Sequence, residues 1–133
     1  MNRHTLIRNA VLKRLKLQAG DGAVFFDGLP AVIEPENLPA LAVWLSDAQY
    51  TGESLDEDTW QALLHVAVFL GAEKTDSELD VWMEEKIYPA LGDIPDLSGL
   101  IDTLVPQVYE YPRDGEMAAW SAAEMTYQIT YTM

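Results

Sequence analysis

The chain has no cysteine, two histidines and only eight lysines and arginines in 133 residues. The missing thiols exclude a disulfide framework, a thiolate nucleophile and a Cys-based zinc site. His4 and His65 are the whole histidine content, and neither has a second histidine at the i+3 or i+4 spacing of a helical metal motif. His65 therefore reads as a core or edge histidine. No apolar run approaches the ~20 residues of a membrane helix, and the opening MNRHTLIRNAVLKRLKLQ lacks the apolar block of a signal peptide. A soluble protein with no membrane association is expected. There is also no Gly-rich loop followed by lysine and no GxSxG elbow, so the phosphate cradle and the common serine-nucleophile turn are both missing. Nothing in the sequence marks an enzyme.

What the chain has in excess is acid: 22 Asp and Glu give a net charge of −14. The two signs are segregated. Arg3, Arg8, Lys13, Arg14 and Lys16 are five of the eight bases, and the first acid is Asp21. A body this negative repels phosphate backbones and argues against sequence-specific nucleic-acid binding. The short basic segment is suited instead to an acidic protein surface, including that of another copy of the same chain.

The length predicts one domain spanning residues 1–133. TLIRNAVLKRLKL, residues 5–17, reads as an amphipathic helix with Leu6, Ile7, Ala10, Val11, Leu15 and Leu17 on its apolar side. Lys13, Lys16, Arg8 and Asn9 fall opposite. Leu12 falls among the charges, and Arg14 falls inside the apolar arc. The Gly- and Pro-punctuated stretch at 19–40 predicts a small ribbon with turns. Residues 40–50 and 59–70 predict two strands, the second with Trp60, Ala62, Leu64, Val66, Val68 and Leu70 on one face. TDSELDVWMEEKIYPAL carries a capping box, Thr75 with Glu78, ahead of apolar residues at helical spacing. Pro89 limits or kinks that helix. A shorter helix is predicted from Asp96 to Leu104, followed by two strands around a turn containing Asp114 and Gly115. The last strand is predicted from Met117, its apolar face carrying Met117, Ala119, Ala123, Met125, Tyr127, Ile129, Tyr131 and Met133. The order predicts an α+β fold, an antiparallel (mixed) sheet with helices packed on it.

Between the two long strands lies YTGESLDEDTW, where Glu53, Asp56, Glu57 and Asp58 crowd into a connection. A calcium loop fails, because counting from Asp56 places Trp60 at position 5 and Gln61 at position 6. A catalytic acid pair would need an apolar pocket that an exposed loop does not supply. The stretch reads as an exposed hairpin tip. Asp76, Glu78 and Asp80 complement the dipole of the helix they open. They are also candidate ligands for a divalent cation if a second chain adds oxygens.

Four strings, VFFDGLPAVIE, YTGESLDEDTWQA, DSELDVWMEEKIYP and the terminal MTYQITYTM, together with the first helix in register, resemble the tail terminator proteins of lambda-type siphophages. The resemblance covers almost the whole length. It implies a structural virion protein of the tail, present in the host cytoplasm during assembly, with no catalytic activity and no required cofactor. It implies a homo-hexameric ring that caps the tail tube protein's polymer, stops its growth and offers a docking surface to the head-completion protein. DNA would pass such a ring without specific binding, and the tip carrying Glu53, Asp56, Glu57 and Asp58 would lie at a protein interface or face the channel of the ring. For a ring of that kind the segregated charge predicts a head-to-tail contact using Arg8, Lys13 and Lys16, with Mg2+ promoting oligomerisation. The alternative is a small acidic adaptor that binds a basic protein.

Overall fold

The computed structural model describes residues 2–52, 58–115 and 117–133. The two alternating segments in mid-chain form β2 (Ala40–Tyr50) and β3 (Thr59–Gly71), an antiparallel hairpin. The C-terminal segment, β5 (Trp120–Thr132), lies antiparallel on the other side of β3 and pairs with it from Thr59↔Thr132 to Gly71↔Trp120. β4 (Thr103–Glu110) closes one edge against β5, and the short β1 (Val24–Asp27) closes the other against β2. The five strands run in the order β1-β2-β3-β5-β4. β1 is parallel to β2, so the sheet is mixed.

One face of the sheet is covered by helices. α1 (Arg3–Ala19) buries Ile7, Ala10, Val11, Leu12 and Leu15, and Gly20 ends it at φ 75°, returning its N–H to the carbonyl of Lys16. α2 (Asp76–Trp82) starts from the predicted box: the Thr75 hydroxyl accepts from Glu78 N, and the Glu78 carboxylate accepts from Thr75 N. A π turn at Met83–Ile87 follows, and α3 (Tyr88–Leu91) ends the segment just past Pro89. The wide turn places Tyr88 N–H on the Met83 carbonyl, so the ladder is already offset when the proline arrives. Leu79, Met83 and Ile87 meet Leu41, Leu64, Val66, Ile129 and Tyr131 in the main core. Period 2 in the strands and the helical period in the helices point their apolar residues at the same layer.

The other face is covered by chain whose one helical element among the described residues is a 3-10 turn at Pro35–Asn37. Parallel neighbours require a crossover connection, and residues 28–39 make it from β1 to β2 across this face. The floor beneath is small, Ala40, Ala42, Ala67 and Ala122, so Ile33, Trp44, Phe69 and Trp120 lie close against the sheet.

Four expectations are corrected. Residues 96–104 are not a helix: a 3-10 turn spans Pro95–Leu97, Gly99 takes φ 86°, and Thr103 already belongs to β4. Leu97 is buried and Leu100, Ile101 and Leu104 pack against the core, so the spacing marked burial and not conformation. A nine-residue helix without a cap is marginal, and β5 would be left with an unpaired edge. The predicted ribbon at 19–40 is a single strand plus the crossover. On α1, Leu17 is 71% exposed and Leu12 is buried, the reverse of the predicted wheel. Finally, β5 begins at Trp120, not at Met117.

Candidate interaction surfaces

Four of the five basic residues of α1, Arg3, Arg8, Lys13 and Lys16, have a contact within the chain. Arg8 Nε donates to Asp27 Oδ1 at 2.5 Å, tying α1 to β1. Arg3 donates to the Gly99 carbonyl at 3.0 Å. Lys13 pairs with Asp96 at 3.4 Å with both side chains mostly exposed, and Lys16 lies 5.7 Å from the ring centroid of Phe25. Arg14 lies half-buried, its Nε without a hydrogen-bond partner among the described residues. Arg8 is thus an internal tether, whereas Lys13 and Lys16 hold only weak, solvent-screened contacts. His4 anchors the start of the helix, its Nε2 2.6 Å from the hydroxyl of the buried Tyr131. Burial, and secondarily the Arg8 charge, lower the pKa of His4.

The acids at the start of α2 go to three different partners. Asp76 pairs with Arg113, and Glu78 caps Thr75 and faces Lys74 at 3.7 Å. Asp80 accepts from the hydroxyls of Tyr109 at 2.5 Å and Tyr111 at 2.7 Å. Burial and the Asp80 carboxylate push the Tyr109 phenol well above its ordinary pKa; for Tyr111 the bond to Asp80 is the main cause. These contacts strap the end of β4 and the turn after it to α2. Among the described residues no group of three or more His, Asp or Glu is placed to hold a metal ion within one chain.

Glu53, Asp56 and Glu57 lie outside the described residues, and Asp58 is exposed at their edge. The end of β2 that precedes them is exposed. β2 is buried over residues 40–43 and exposed over 47–50, while Gln49↔Gln61 and Tyr50↔Trp60 stay paired. Thr51 closes the ladder onto the Thr59 carbonyl through both its N–H and its hydroxyl. At about 3.3 Å per residue, the end of β2 at Tyr50 lies roughly 23 Å beyond Val43, the last fully buried residue of that strand.

The second face holds two features that the sequence reading missed. One is a polar network: Ser46 Oγ lies 2.7 Å from His65 Nε2, and His65 Nδ1 lies 2.9 Å from Glu124 Oε2, with Thr126 alongside. Trp44 stacks on the imidazole at 4.9 Å, the planes 4° apart. The order Ser-His-Glu resembles an acyl-transfer relay, but such chemistry needs N–H donors aimed at a developing oxyanion. Ser46 lies in a strand paired with Leu63, where backbone N–H groups lie in the plane of the sheet. The network therefore serves to satisfy polar groups under partial cover. Residues 46, 65 and 124 share a face by strand parity once the register is known, and no local motif reveals it.

The other feature is a groove of about 420 Å³ between the crossover and the turn before β5. Trp44, Phe69 and Trp120 lie at its base, and Leu29, Val32 and Met117 form an exposed rim. With its bare apolar rim, this surface is suited to binding a protein segment.

Over residues 2–131 the chain matches the family model described as phage minor tail protein U. It is 53% identical over 131 residues to the tail tube terminator protein of Escherichia phage N15, covering 98% of this chain and 99% of that one. It is 54% identical, over the same length and coverage, to the tail tube terminator protein of Escherichia phage lambda. Among solved structures, a chain described under "Virion of native gene transfer agent (GTA) particle" shares the fold with a TM-score of 0.52 at 12% identity, covering 96% of this chain and 95% of that one. The chain belongs to the phage minor tail protein U family.

Proposed function

We propose that this chain terminates the tail tube of a lambda-like phage or prophage: six copies close a ring on the finished tube, stop its polymerisation and present the surface on which the head-completion protein docks. The observation that carries this reading is the full-length similarity, above 50% identity, to two proteins named tail tube terminator. The role is structural and belongs to the virion tail. The fold supports it by offering binding surfaces, a basic helix end and an apolar groove. If the hairpin tip faces the channel, its carboxylates keep DNA phosphates from adhering as the genome passes.

Free subunits remain mostly monomeric in this scheme, because gathering six chains of net charge −14 is opposed by electrostatic repulsion. Mg2+ promotes the ring by lying between carboxylates of adjacent copies, with the Asp76, Glu78 and Asp80 turn supplying oxygens from one side. The test is to add purified chain to tubes elongating from tail tube subunits and to follow their length by electron microscopy. Elongation should stop, with one cap per tube. Continued growth together with a monomer that captures a basic protein would favour the acidic adaptor instead.

A further inference from the structure

The groove on the second face and the end of α1 on the first face are complementary. Leu29, Val32 and Met117 at the groove rim are 60%, 61% and 76% exposed. Two carboxylates, Asp114 and Glu124, line the groove, and no basic residue does so among the described residues. α1 presents the opposite pattern. Leu17 is 71% exposed, and the neighbouring Lys13 and Lys16 are exposed with it. An apolar side chain beside two cations thus matches an apolar slot beside two anions.

Their placement matters as much as their chemistry. α1 packs on the face of the sheet formed by Leu41, Leu64 and Ile129, while the groove opens on the face formed by Ala42, Ala67 and Ala122. A closed ring is heterologous, so each copy must use two different patches directed at two different neighbours. Patches on opposite faces of one sheet meet that requirement. Self-complementary patches on a single face would give a two-fold dimer.

We propose that the groove of one copy receives the C-terminal end of α1 from the next: Leu17 enters between Leu29, Val32 and Met117, and Lys13 and Lys16 approach Asp114 and Glu124. This contact rests on the ring reading above and names the surface that ring uses. The charges can be redirected at little cost, because the Lys13–Asp96 pair is exposed on both sides and Lys16 has only a distant ring contact. The carboxylates keep their present partners. Glu124 continues to hold His65, and Asp114 continues to accept from the backbone of Met117 and Ala119.

The cysteine-free chain allows a direct test. A Leu17→Cys/Val32→Cys double variant is assembled on tail tubes and treated with a short bismaleimide. The reference is Leu17→Cys/Val105→Cys, whose second site lies on the edge strand β4 and is 47% exposed. The expected result is a denaturing-gel ladder that reaches the hexamer for the first pair and stays at monomer for the second. Capped tubes seen by electron microscopy without a ladder overturn this contact while leaving the terminator reading intact. Tubes that remain uncapped by wild-type chain overturn the reading and the contact together. As an independent check, Leu17→Asp should leave the melting temperature of the monomer unchanged and reduce capping about tenfold or more, the loss expected when a buried apolar anchor becomes a charge. Unchanged capping by this variant counts against the contact.

Discussion

Removing the Asp80 carboxylate should loosen the strap between α2 and the end of β4. Asp80 accepts two phenolic hydrogen bonds, one from the half-buried Tyr109 and one from the exposed Tyr111. A hydrogen bond to a charged acceptor contributes about 1.5–3 kcal/mol when partly shielded from water, and an exposed one much less. Asp80→Ala should therefore cost about 2–3 kcal/mol, Tyr109→Phe about 1.5 kcal/mol, and Tyr111→Phe under about 1 kcal/mol. For a domain of this size that places the Asp80→Ala melting temperature roughly 8–12 °C below wild type. Urea titrations of the two single variants and the Asp80→Ala/Tyr109→Phe double variant form a thermodynamic cycle, with an expected coupling of about 1–1.5 kcal/mol. The same melts in magnesium chloride and in sodium chloride of equal ionic strength should agree for the monomer, because within one chain the carboxylate is engaged by phenols and a cation would need oxygens from a second copy. Additive single variants would refute the strap, and a magnesium-specific rise in monomer stability abolished by Asp80→Ala would refute the assignment of this carboxylate to the tyrosines.

Neutralising the hairpin tip, with Glu53, Asp56, Glu57 and Asp58 changed to Asn or Gln, should alter stability by no more than about 0.5 kcal/mol while lowering tube capping. A variant that melts early yet still caps tubes would make the tip structural. His4 has a folded-state pKa below the ordinary value of about 6.5, so the stability it contributes is fully present above that ordinary value and is lost as pH falls from there through the folded-state pKa. Between pH 7.5 and 5.5 the melting temperature of wild type should fall more steeply than that of His4→Gln, which can still bond to the Tyr131 hydroxyl, and parallel slopes would contradict this. In sedimentation velocity, magnesium should promote oligomers more than sodium chloride of equal ionic strength does, and a stable hexamer in EDTA at low salt would contradict the repulsion argument.

Much of the architecture is legible in the sequence where one local signal and one burial pattern agree. The Thr75–Glu78 box fixes the start of α2, and alternation over 59–70 and 123–131 correctly assigns the core face of both long strands. The misreadings have a common cause. Leu97, Leu100, Ile101 and Leu104 are apolar because they cover the core, and a periodic pattern that short does not distinguish a helix from a turn leading into a strand. β1 is equally opaque, since a parallel partner depends on the crossover and not on a hairpin turn. The interaction surfaces divide along similar lines. The basic helix is contiguous in sequence and legible there, though the pairing of Arg8 with Asp27 is not; Glu53, Asp56 and Glu57 lie outside the described residues. The Ser46-His65-Glu124 network and the groove draw on residues far apart along the chain, and they exist only once β2, β3 and β5 are placed in register.

The central claim is that this chain closes a ring at the end of the tail tube. Averaged electron microscopy of the head-proximal ends of tubes incubated with the purified chain tests it most directly. The account predicts a single six-fold layer of added density, absent from untreated tubes, into which six copies of this 14.9 kDa fold fit head to tail. Tube ends that remain bare at saturating chain, or a layer built from two-fold dimers, would contradict it.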